Sequence, residues 1–63
     1  MDEKFEALKT ELFLNGSEAI TDFLGFEYDP DSSKDEIENL MDEVYAQIPD
    51  EELEQFFDKY SIN

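Results

Sequence analysis

The chain has 63 residues, nineteen Asp or Glu against four lysines, no arginine, histidine or cysteine, and a formal charge of -15. Such an excess is repelled by nucleic-acid phosphates and by anionic membrane surfaces, and the missing residue types exclude disulfides, thiolate or imidazole metal sites, and catalysis by His or Cys. Six Phe, three Tyr, six Leu, four Ile and one Val make it too apolar for a disordered acidic tail, so a single folded domain near the lower size limit is expected.

The opening stretch, DEKFEALKTELFLNG, places Phe5, Leu8 and Leu12 at helical spacing, and Phe13 widens the stripe. Asn15-Gly16 reads as its stop, because glycine takes a left-handed conformation at no steric cost. Ser17 is then expected to cap a shorter helix, EAITDFL, whose Ile20, Phe23 and Leu24 fall on one side before Gly25 ends it. FEYDPD reads as a linker, with Phe26 and Tyr28 alternating across Glu27. Pro30 pushes Asp29 out of the helical region.

The third helix has the clearest signal. Ser33 and Glu36 form the S-x-x-E pattern of a capping box, and Ile37, Leu40, Met41, Val44 and Ile48 follow as one apolar stripe. Pro49 stops this helix and can open the next, whose Leu53, Phe56, Phe57 and Tyr60 share a face. The expected fold is all-α: residues 1–63 as one acidic domain, a compact bundle of about four short helices. Its core is thin, and a homodimer would supply further burial. Phe13, Leu14, Phe26 and Tyr28 are the residues left over for such a contact, unless they complete the monomer core.

Two kinds of site are tested by the spacing and fail. A twelve-residue calcium loop starting at Asp29 would put Lys34 where the turn needs Gly and Leu40 where the ion needs a bidentate Glu. Starting at Asp31 does no better, so no metal site and no cofactor is expected. With no glycine-rich phosphate loop, and with every acid on a polar face or in a turn, an enzyme is not expected either.

SSKDEIENLMDEV followed by IPDEELEQF resembles the second helix and following segment of acyl carrier proteins, which are small acidic four-helix bundles. In that family an Asp-Ser-Leu motif carries the phosphopantetheine arm on its serine. Here the matching positions read Asp31-Ser32-Ser33, without the leucine, and the resemblance implies Ser32 as the attachment site. LMDEVYAQIP resembles a helix end of the small Hha-type modulators of nucleoid proteins through Met41, Tyr45, Ile48 and Pro49, which implies a binder of another protein.

The acids themselves carry the main functional signal. In the third helix Asp35, Glu38 and Asp42 form one line, and Glu36 and Glu43 a second beside it. In the last helix Glu51, Glu54 and Asp58 repeat the pattern, flanked by Asp50 and Glu52. Early acids favour the positive end of a helix, but Glu43, Glu54 and Asp58 are too far along to gain from it. Like-charge neighbours such as Glu38 with Asp42, or Glu54 with Asp58, cost about 0.2–0.5 kcal/mol each. Solubility needs a net charge of only about 2–8 in magnitude. In charge, size and helical pattern the chain resembles the acidic DNA-mimic inhibitors of phages and mobile elements, of the anti-restriction and anti-CRISPR type. That resemblance implies occupation of the basic nucleic-acid-binding groove of a target such as a host defence nuclease. The partner-binding residues would be Asp35, Glu36, Glu38, Asp42, Glu43, Glu51, Glu54 and Asp58. Charge reversal at Asp42 or Glu54 would then weaken binding and leave the fold intact. The alternatives are an acidic helical adaptor that binds a basic protein surface without imitating DNA, and a protein adapted to high salt.

Location follows by default. MDEKFEALK is acidic where a signal peptide would be basic and then apolar, and no apolar run approaches the roughly 20 residues of a membrane span. A cytoplasmic protein is expected, in the host cell if it is phage-encoded, with no direct contact to nucleic acid or membrane.

Overall fold

A computed structural model describes residues 3–62; Met1, Asp2 and Asn63 lie outside the described residues. The fold is all-α. Its four helices among the described residues are α1 (Glu3–Asn15), α2 (Ser17–Leu24), α3 (Lys34–Gln47) and α4 (Asp50–Lys59). The Cα radius of gyration is 10.8 Å, close to the roughly 11 Å of a compact domain this size. None of these helices is long and apolar enough to cross a membrane.

The core is built from one stripe of each helix. Phe5, Leu8 and Leu12 of α1 meet Ile20, Phe23 and Leu24 of α2, Ile37 and Met41 of α3, and Phe57 of α4. Aromatic rings tie the layers together: Phe23 meets Phe56 edge-on at 5.1 Å between centroids, and Phe5 stacks on Tyr45 at 3.9 Å. Phe13 and Tyr28 pack partly buried against this core, whereas Leu14 (74% exposed) and Phe26 (47%) stay in solvent. The four residues left over by the apolar patterns therefore divide evenly between the two roles expected of them.

The helix boundaries follow the punctuation of the sequence, with instructive shifts. Gly16 serves both neighbours: its N–H donates to Leu12 O (3.1 Å) and its carbonyl accepts from Ile20 N (3.2 Å). It therefore caps α2 in place of Ser17, which is the first helical residue, and no side-chain bond caps that helix. At φ +97°, ψ -172° Gly16 is extended on the positive-φ side rather than left-handed helical, a region open essentially to glycine alone. Gly25 does take the left-handed helical conformation. In the linker Asp29 holds the turn, accepting from Asp31 N on its side chain and from Ser32 N on its carbonyl, each at 2.9 Å. Ser33 caps α3, its hydroxyl accepting from Glu36 N at 3.2 Å. Pro49 precedes α4 as its cap rather than opening its first turn.

Candidate protein-binding surface

The candidate surface is built from the solvent sides of α3 and α4. Burying Ile37 and Met41 in α3, and Phe57 in α4, turns the intervening acids outward. At about 100° per residue, Asp35, Glu38 and Asp42 fall within roughly 60° of one another, and Glu36 and Glu43 lie together on the opposite flank. On α4, Glu51, Glu54 and Asp58 likewise share a flank within about 60°. Asp35, Glu36, Glu43, Glu51, Glu54 and Asp58 are all exposed, and among the described residues none of the six is in an ion pair. From Asp35 to Glu43 five carboxylates span about 12 Å of helix axis. That is about one charge per 3 Å, against one per about 3.4 Å along a nucleic-acid strand.

The other two predicted residues are placed differently. Glu38 is half-buried and shares a groove with Lys9, Lys34 and Phe13. Asp42 keeps about half its side chain in solvent but accepts from Lys9 Nζ at 3.3 Å. Lys9 also reaches Glu6 Oε1 at 3.2 Å and lies 5.0 Å from the centre of the Phe5 ring. It is 6% exposed, among the apolar residues of the core. Burial pushes the Lys9 ammonium down, but its bonds to Glu6 and Asp42, with their charges, outweigh that and hold it above its ordinary value. A lysine at Asp42 would set two ammonium groups against each other. Reversal there threatens the α1–α3 contact, contrary to what the helix pattern alone implies.

Lys9 is the residue that pattern reading passed over. Its signal was its place: with Phe5, Leu8 and Leu12 it completes the repeat of one buried face. The other lysines are also held close. Lys4 lies 5.3 Å from the Phe57 ring centre, Lys34 5.3 Å from Phe13, and Lys59 5.7 Å from Tyr60. Lys59 additionally bridges α4 to α2 through Asp22 Oδ2 at 3.2 Å, which raises its pKa.

Other features of the sequence can be placed as well. Ser32 is half-buried immediately before the Ser33 cap, its N–H given to Asp29. Among the described residues no three carboxylates gather in a way that could hold a metal ion. Compared with models of known protein families, with characterised proteins and with solved structures, the chain has no match.

Proposed function

We propose that this protein inhibits a nucleic-acid-binding protein, such as a host defence nuclease, by laying the acidic faces of α3 and α4 into its basic groove. Separation of charge is the observation that supports this. All four lysines lie 5.0–5.7 Å from aromatic ring centres, where the negative face of the ring favours a cation. Six carboxylates of α3 and α4 face solvent with no ion pair among the described residues. The cations are thus tied to the fold, while Asp35, Glu36 and Glu43 of α3 and Glu51, Glu54 and Asp58 of α4 are offered outward. A basic groove would meet this surface with many counter-charges at once, and long-range attraction would speed the encounter.

The exposed Leu14 and Phe26 favour a second reading, an adaptor that adds apolar contacts and does not imitate DNA. One competition experiment separates the two. The target is captured from host lysate and offered labelled nucleic acid together with increasing amounts of this protein. Mimicry gives displacement of the nucleic acid at one shared site. Simultaneous binding of both rejects mimicry and leaves the adaptor. Glu43→Lys and Glu54→Lys, both at exposed positions, should each weaken binding several-fold, chiefly through slower association.

A further inference from the structure

Two helices end at one place on the surface. α2 closes at Leu24 and Gly25, α3 at Gln47 and Ile48, and both ends border a groove of about 340 Å³. The groove is lined by apolar groups of Phe23, Leu24, Val44, Ile48 and Phe56. Asp22 and Glu52 stand beside them, and no lysine is part of the lining. The last turns of α2 and α3 contain no basic residue. The terminal carbonyls of both helices bring the negative ends of their dipoles to this groove without an intrahelical cation, and the positive end of α4, which starts after Pro49 in the same lining, is outweighed by the full negative charge of Glu52 in its first turn. One cation comes near: Lys59 pairs with Asp22, with more than half of each side chain in solvent. Exposed pairs of this kind are weak, so a cation of a partner can replace it. Gln47 falls on the flank of α3 that carries Glu36 and Glu43, at about 100° per residue, so the outer acid row leads into the groove.

We propose that this groove receives an apolar side chain of a basic partner segment, an anchor of leucine or phenylalanine size flanked by lysine or arginine. Charge complementarity selects the occupant. The apolar lining rewards a desolvated anchor, while Asp22, Glu52 and the two helix ends favour cations on either side of it and disfavour an acidic or purely apolar segment. The acid rows steer the encounter, and the anchor holds the complex once formed. Phosphate mimicry alone requires no such groove, so the inference does not depend on it.

Two synthetic helical peptides of equal positive charge serve as probes. One carries leucines between its lysines; in the other each leucine is replaced by glutamine. Binding to the full chain is followed through the amide signals of the isotope-labelled protein. The leucine peptide should bind at least tenfold more tightly and shift the amides of Gly25, Gln47 and Ile48. Glu52→Lys and Val44→Ala should each shrink that preference more than threefold. Glu3→Lys, on α1 and outside the groove, should weaken both peptides alike. Circular dichroism checks the fold of each variant, and Glu52→Lys, at an exposed position, remains decisive should Val44→Ala melt. Equal affinity for the two peptides overturns the proposal, as do shifts confined to residues away from the groove. Competition with nucleic acid is read separately, so failure here leaves mimicry standing, and failure there leaves the groove.

Discussion

Lys9 is a charged residue acting as part of the core. Its four-carbon stem lies among Phe5, Leu8 and Leu12, while the ammonium reaches the surface carboxylates of Glu6 and Asp42. Replacing a paired, largely buried charge by an apolar group of similar shape is often neutral. Lys9→Met should therefore stay within about 1 kcal/mol of the parent, whereas Lys9→Ala, which also removes the stem, should lose about 1–2 kcal/mol in urea denaturation. The pH dependence has a definite sign. The folded protein holds the Lys9 proton more tightly than the unfolded chain does, so this contribution is complete below the ordinary value of 10.5 and is lost as pH rises through the higher folded value. Alkaline unfolding of Lys9→Met should lack that component. Apolar patterning found the neighbours of Lys9 but not Lys9 itself, because a hydropathy pattern counts a lysine by its charged end and this fold buries its stem.

At the level of elements, the two ends of the chain's helices handle positive φ in opposite ways. The C-terminus of α4 is closed by Ile62 N donating to Phe57 O (2.8 Å) and Ser61 N to Asp58 O (3.2 Å). This is the Schellman arrangement, with Ile62 packed back on the core. Glycine or asparagine usually fills the left-handed position; here it is Ser61, at φ +57°. Ser61→Gly should raise stability by about 0.5–1 kcal/mol, seen as a higher urea midpoint with an unchanged slope. Gly16 presents the converse case. No heavy atom lies within 4 Å of where its Cβ would be, so there is room for a methyl group. Gly16→Ala should nevertheless cost about 1–3 kcal/mol, because the backbone conformation itself excludes a Cβ. These elements were legible in outline. Asn15-Gly16, Gly25, Ser33 and Pro49 mark the breaks, and every helix carries its stripe. The assignment of Ser17 as a cap failed because Gly16 supplies the extended, non-helical entry while its carbonyl accepts the first helical bond. A serine beside a glycine does not reveal which of them takes that conformation.

For the whole molecule, the charge pattern was legible and the internal pairing was not. Acid rows on α3 and α4 follow from helical spacing alone. The bridges Lys9–Asp42 and Lys59–Asp22 join residues 33 and 37 positions apart in the chain, a separation that no local pattern encodes. Those bridges decide which acids remain available, removing Asp42 from the free row and leaving Asp35, Glu36, Glu43, Glu51, Glu54 and Asp58 in solvent. They also set how the molecule responds to salt. Exposed like charges repel across distances that a low-salt solution does not screen: the Debye length is about 30 Å at 0.01 M, comparable to the 31 Å long axis of the molecule. Near 0.5 M it falls to a few ångströms, below about 8 Å, and most of the repulsion vanishes. The attractive bridges weaken too, but they are few beside a net charge of -15, and Lys9 is shielded from solvent. The melting temperature should therefore rise between about 10 mM and 500 mM salt, by roughly 5 °C if the relieved repulsion amounts to about 1 kcal/mol. Binding to a basic groove should move in the opposite direction over the same range, since salt screens the attraction that steers association. Thermal melts by circular dichroism and association rates measured in the same buffers test both signs together. A protein whose stability fell with added salt, or whose binding was indifferent to it, would not be using its exposed carboxylates in this way.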